Sequence, residues 1–312
     1  KVLRDNALAF KGKPSIREKE YGIWQVITWD DFYNKALVLA KGFYSSGLKR
    51  GDKLAIIGDN RPNLYISIAA AQILGAVPVP CYQDSVADEI QYILDHAEVK
   101  IAVVENQEQV DKLLEIKDRL PILKNIFYAD PRGLEQYHEK EIFSLDVLLN
   151  NEQAISLDLD EEINKTSKDD ISIMLYTSGT TGRPKGVLLS YNNIISLSSV
   201  ACEIENTSPD DEVVAYLPMA WVGDNIFCVA QSYIAGFCIN CPESRETLTI
   251  DMREIGPTYY FAPPRVWEAM LTQLMVRMQD ASQVKLWVFN FFMRIAKKWG
   301  NLILDKKRVP IT

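Results

Sequence analysis

The run YTSGTTGRPKGVLLS, Tyr176 to Ser190, carries eight Gly, Ser or Thr residues in fifteen, and one lysine, Lys185, between Pro184 and Gly186. Glycines let backbone N–H groups come close to an anion, and hydroxyls add further donors. An ammonium on a flexible stem supplies a mobile charge for phosphate oxygens. A helix starting behind such a loop adds the positive potential of its N-terminus. The chemistry is phosphate binding. Flexible surface loops share the composition, so the order of the residues has to carry the inference. That order is not Walker A, which needs Gly-Lys followed by Ser or Thr. Kinases and NTPases of the Walker type are therefore disfavoured.

Other groups capable of chemistry are fewer. CINC, Cys238 to Cys241, has the spacing of half a zinc or redox site but lacks a second pair. Its apolar surroundings favour a buried strand. His96, near the end of a predicted helix, reads as a capping or surface residue, and His138 as solvated. Trp287, Phe291, Ile295 and Trp299 recur at four-residue spacing in a basic segment, residues 284–308. Such a stripe packs against protein or lies peripherally on an anionic membrane.

The elements that must position these groups alternate between the two secondary-structure periods. WQVIT reads as a strand, with Thr28 capping a helix that Gly47 ends. DKLAII is a strand, RPNLYISIAAAQILG a helix with Pro62 near its start, and AVPVPCY an extended piece. Ser85 is expected to cap VADEIQYILDHA; KIAVV, EQVDKLLEIKDR and NIFYA follow as strand, helix and strand. Residues 131–170 are polar and irregular. DISIMLY resumes as a buried strand leading into the loop, and Ser190 caps the helix after it. DEVVAYLP, GFCINCP and TYYFAPP read as further short strands. The fold class is α/β, parallel-sheet subdomains wrapped by helices. Two subdomains are expected, 1–170 with the polar connection and 171–312 with the loop.

Composition sets outer bounds. In 312 residues, 47% are apolar and 24% charged, enough for a substantial core. The formal charge of −8 argues against a nucleic-acid partner. Five cysteines are too few for a disulfide scaffold of this size, which favours a reducing, cytoplasmic setting. No stretch has the order of a signal peptide or the length of a membrane-spanning helix.

The ordered loop YTSGTTGRPKGV resembles the phosphate loop of the adenylate-forming (AMP-binding) superfamily. ITWDDFYNKALVLAKGF, GLKRGDKLAIIGDNRPNLYISIAAAQILGAVPVPCY, DEIQYILDHAEVKIAVV, YLPMAWVGD and YFAPPRVWEAML resemble the N-terminal portion of long-chain fatty acyl-CoA synthetases. The resemblance implies ATP with Mg²⁺, a fatty acid and coenzyme A as reactants. By position, Thr177, Ser178, Gly179, Thr180, Thr181, Gly182 and Lys185 match the loop that holds ATP phosphates. Thr177 and Lys185 are the implied catalytic groups, and Thr177 also stands near the metal. Leu217 to Asp224 matches a motif commonly reading Leu-Pro-x-x-His, which puts Trp221, Val222 and Gly223 against the substrate, with Trp221 at the His position. No Thr-Glu pair, which the family uses to help hold Mg²⁺, occurs in the chain. The expectation is a front portion of a longer enzyme, without the C-terminal domain and inactive alone. The alternatives are a fatty acyl-AMP ligase or another adenylate former, and a non-catalytic nucleotide- or lipid-binding module.

Overall fold

The computed structural model describes residues 1–150, 156–177 and 182–308. Its elements run α1 (Val2–Ala9), β1 (Pro14–Glu20), β2 (Ile23–Thr28), α2 (Trp29–Ser45), β3 (Lys53–Ile57), α3 (Pro62–Ile73), β4 (Val77–Cys81), α4 (Ala87–His96), β5 (Val99–Val104), α5 (Gln107–Ile116) and β6 (Asn125–Tyr128). Then come β7 (Ile142–Ser144), α6 (Asp146–Asn150), α7 (Leu159–Lys165), β8 (Ile171–Thr177), β9 (Lys185–Ser190), α8 (Tyr191–Glu205) and β10 (Glu212–Val214). A π-helical segment, Asp224–Ala230, leads into α9 (Gln231–Ala235), followed by β11 (Cys238–Cys241) and α10 (Leu248–Ile255). The chain divides into two compact units, Lys1–Tyr260 and Phe261 onward, the second holding α11 (Pro264–Gln279) and α12 (Gln283–Leu304).

A five-stranded sheet, ordered β4-β3-β5-β6-β7 and parallel throughout, is the centre of the first unit. Its inner strands are apolar over most of their length because both faces are covered. In β3 the period of two is literal. Leu54 and Ile56 enter one core cluster with Trp29, Phe43 and Leu64, while Ala55 and Ile57 enter the opposite one with Ile90, Val104 and Val110. Pro78 and Pro80 are tolerated because β4 is the edge strand of this sheet. Thr28 caps α2 by accepting from the Asp31 N–H, and Gly47 follows that helix at φ 97°, a conformation open mainly to glycine. α3 is buried almost all round, so its apolar residues form no single stripe.

Several expectations are corrected. Ser85 does not cap α4; Val86 precedes that helix and makes no side-chain cap bond. The polar connection contains β7, α6 and α7, and β7 extends the parallel sheet. TYYFAPP forms no strand. α1 and β1 had no counterpart in the sequence reading. β1 pairs antiparallel with β2 and parallel with β11, giving a four-stranded sheet ordered β10-β11-β1-β2. That sheet draws strands from both sides of residue 170. CINC is β11, with all four residues buried as expected.

Candidate phosphate-binding hairpin

The loop was expected to open directly into a helix, but a strand intervenes. β8 and β9 form an antiparallel hairpin whose connection is the Gly/Ser/Thr run, and α8 begins only after β9. Ser190 caps α8 within a capping box shared with Asn193. The helix N-terminus therefore lies a full strand away from the loop, and positive charge at the hairpin mouth must come chiefly from side chains.

Thr177 ends β8 and Lys185 begins β9, and the two are directly paired in register. Both are exposed. Side chains of a directly opposed pair point to one side of the ladder, so a hydroxyl and an ammonium stand together at the mouth. That arrangement suits a phosphate. Ser178, Gly179, Thr180 and Thr181 lie outside the described residues. Gly182 has open space where a Cβ would stand, so the described chain gives no steric reason for glycine there. Gly186 differs: a Cβ would meet Met174 Cε at 2.3 Å and the Tyr176 ring at 3.3 Å.

Alternation along β8 separates two environments. Met174 and Tyr176 enter the cluster holding Val79 and Cys81 of β4 and Ile90 of α4. Ile173 and Leu175 enter a third cluster with Ile194 of α8 and Ile226 and Ala230 of the π-helical segment. By the period of two, Thr177 shares the side of Ile173 and Leu175. Behind Ile173 lies an apolar cavity of about 380 Å³, lined by Ile68, Ile73, Ile194, Val229 and Tyr233 among others.

Trp221, Val222 and Gly223 belong to a separate segment, the turn entering the π-helical stretch. The Trp221 N–H donates to the Pro218 carbonyl at 2.8 Å, and Asn225 Nδ2 donates to the Met219 and Trp221 carbonyls, both at 2.9 Å. Trp221 keeps 38% of its surface exposed and is not a core residue. Val222 is exposed and Gly223 half-buried. Burial pushes the Tyr82 phenol up, offset in part by a hydrogen bond with Trp221.

Two groups behind this site were given no functional role by the sequence. Asp224 is fully buried and accepts from Tyr65 Oη at 2.9 Å and Asn60 Nδ2 at 3.1 Å; Asn60 also donates to the Leu217 carbonyl. Loss of solvent pushes the Asp224 carboxyl up to about 7, with Tyr65, Cys228 and Asn60 hydrogen bonds holding it from going higher. The second group is the His96–Tyr176 pair. His96 is exposed, as expected, but its Nδ1 shares a 2.7 Å hydrogen bond with the Tyr176 hydroxyl instead of capping a helix. Burial lifts the Tyr176 phenol to about 12, so it is neutral at pH 7. An acidic residue in an apolar run was the available signal for Asp224. Nothing local marked Tyr65 or His96.

Magnesium keeps several waters and takes phosphate oxygens with one or two protein oxygens. The Thr177 hydroxyl fits as one such oxygen. Among the described residues no group of three or more His, Cys, Asp or Glu is gathered to hold a metal ion.

The parallel sheet, the β8–β9 hairpin with its YTSGTTGRPKGV sequence and the LPMAWVGD turn define the class: the N-terminal fold of adenylate-forming proteins. The chain belongs to the AMP-binding enzyme family, whose model matches residues 3–293. It is 30% identical over 282 residues to the long-chain-fatty-acid–CoA ligase ACSBG2 of Xenopus laevis, covering 87% of this chain and 38% of the relative. ACSBG1 of Rattus norvegicus is 30% identical over 278 residues, covering 86% and 37% respectively. The chain thus spans well under half the length of these relatives. The inhibitor-bound N-terminal domain of FACL13 from Mycobacterium tuberculosis shares the fold with a TM-score of 0.72 at 23% identity, covering 86% of this chain and 63% of that one.

Proposed function

We propose that this chain is the nucleotide- and acyl-binding front portion of an AMP-forming long-chain fatty acid–CoA ligase. One observation carries the reading: Thr177 and Lys185, the hydroxyl and the ammonium of the loop sequence, stand paired and exposed at the hairpin mouth. In this reading the fatty acid presents its carboxylate to the ATP phosphates at that mouth. The whole loop, Thr177 to Gly182 with Lys185, holds the phosphates in this reading, and Trp221, Val222 and Gly223 wall the acyl-adenylate.

The carboxylate, with a pKa near ~4, is already ionised at pH 7 and needs no general base. Its oxygen attacks the α-phosphorus, the bond to the β-phosphate oxygen breaks, and pyrophosphate leaves. The coenzyme A thiolate then attacks the acyl carbonyl and AMP leaves. Lys185 and the Thr177 hydroxyl serve by neutralising and orienting phosphate charge. Mg²⁺, when bound, supplies further neutralisation of the same oxygens. A cytoplasmic location, with α12 resting peripherally on membrane, belongs to the same proposal. The exposed Trp287, Phe291 and Phe292 of α12 support the membrane contact.

The test is pyrophosphate release and acyl-CoA formation by the complete protein with ATP, Mg²⁺, palmitate and coenzyme A. Lys185→Ala should slow adenylation by roughly 2–4 kcal/mol of barrier, as removal of an electrostatic donor does, and Lys185→Arg by less. Acyl-AMP that accumulates and never passes to coenzyme A would instead favour the acyl-AMP ligase. ATP binding without turnover would favour the non-catalytic module. Unchanged adenylation in Lys185→Ala would remove the assignment.

A further inference from the structure

Both stems of the phosphate hairpin rest on one face of α4. Tyr92 and His96 are four residues apart on that helix and so share a face. Their rings are 5.6 Å apart, inclined at 30°. The Tyr92 hydroxyl donates to the Pro184 carbonyl at 3.1 Å, one residue before Lys185 on the outgoing stem. His96 Nδ1 meets the Tyr176 hydroxyl at 2.7 Å, one residue before Thr177 on the incoming stem. The His96 and Tyr176 rings meet edge to face, 5.8 Å between centroids at 84°. The Arg183 guanidinium lies 5.3 Å from the Tyr92 ring centre.

These contacts fix orientation as well as position. The Tyr176 ring is held at one end by His96 and packs against the glycine opposite it, Gly186, 3.3 Å from where a Cβ would stand. With Tyr176 turned inward and only 5% exposed, the pleat turns its neighbour Thr177 to the other side. On the outgoing stem, holding the Pro184 carbonyl fixes the Pro184–Lys185 peptide plane, since the peptide unit is rigid. The direction in which Lys185 leaves the backbone follows.

We propose that Tyr92 and His96 are positioning residues for the phosphate loop, pinning its two stems so that Thr177 and Lys185 are presented together to ATP. The inference rests on the phosphate-binding reading of the hairpin and adds a helix that the loop motif does not contain. Neither residue touches substrate; each acts through the stem it holds.

The experiment uses the complete protein and measures binding of a fluorescent ATP analogue without fatty acid, together with KM for ATP, KM for palmitate, kcat and melting temperature. Tyr92→Phe removes one hydroxyl and should weaken ATP binding and raise KM for ATP about 3- to 10-fold, the range of one hydrogen bond. KM for palmitate and melting temperature should hardly move. His96→Ala should act in the same direction, and His96→Asn, whose side-chain oxygen can stand where Nδ1 stood, should recover most of the loss. Wild-type ATP binding with unaltered variants overturns this inference alone. A fall in kcat and melting temperature with both KM values raised alike, and no rescue by Asn, also overturns it, because it describes a merely structural role. A wild-type protein that binds no ATP analogue overturns the phosphate-binding reading and this inference with it.

Discussion

Replacing Asp224 with Asn should change how stability depends on pH. The Asp224 carboxyl is fully buried beside Tyr65, Asn60 and Cys228. Burial raises the Tyr65 phenol well above 10 and the Cys228 thiol well above 9, so both are neutral at pH 7, and among the described residues the hydrogen-bond partners of Asp224 are Tyr65, Cys228 and Asn60, none a cation. Its pKa rises from 3.8 to about 7. Between those values the folded state keeps a proton that the unfolded chain has released, so stability falls as pH rises through the window and levels off above it. At about 1.4 kcal/mol per pH unit, the ceiling on the loss is about 4 kcal/mol. Asn keeps the shape and one accepting oxygen but has no proton to lose. Urea denaturation of both proteins at half-unit steps from pH 4 to 8.5 isolates the difference, because other titrating groups are common to the pair. The gap should move in favour of Asp224→Asn by up to about 4 kcal/mol between pH 4 and 7 and then stay flat. A gap that is constant across the range would refute the argument.

Gly186→Ala places a Cβ 2.3 Å from Met174 Cε, the movable end of that side chain, and 3.3 Å from the Tyr176 ring, so it should cost about 1 kcal/mol, the low end for overpacking. Gly182→Ala, with open space around it, should leave the melting temperature within a degree or two, and equal effects at the two sites would contradict the geometry. Trp221→Ala should shift the preferred fatty-acid length or raise KM for the acid with a modest fall in melting temperature, because the ring is part-exposed. A collapse in stability with the length profile intact would return Trp221 to a packing role. Vesicles with anionic lipid should co-float the protein, and reversing Lys297 and Lys298 to Glu should abolish this at low salt; flotation indifferent to both would remove α12 from the membrane.

Much of the architecture was readable where local pattern and burial coincide. The elements from β3 to β6 follow this rule: the apolar residues of β3 divide by parity between two clusters, and Thr28 and Ser190 cap the helices they precede. β9 was missed because KGVLLS contains a glycine and starts at the motif itself, so its identity as a strand depends on β8. β1 was missed for a related reason, its polar PSIREKE sequence being stabilised by β2 and β11. In the site, the loop residues declared themselves by type and order. Tyr92 and His96, some 85 residues upstream, did not, because EIQYILDHA has only the signature of an amphipathic helix. Trp221 showed that an aromatic stood at a family position, but only its exposure separates wall from core.

The pairing of Ile16 with Ile239 also constrains how the molecule is made. About 220 residues must be added after β1 before β11 exists to cover its edge. At 5–20 residues per second on the ribosome, that wait is roughly 10–45 s. During it the β1–β2 hairpin presents a row of unpaired backbone groups, an invitation to other nascent chains. The alternating charges of REKE along β1 are suited to discouraging such partners until the late strand arrives. The β1–β2 hairpin is made about 220 residues before the strand that completes its sheet.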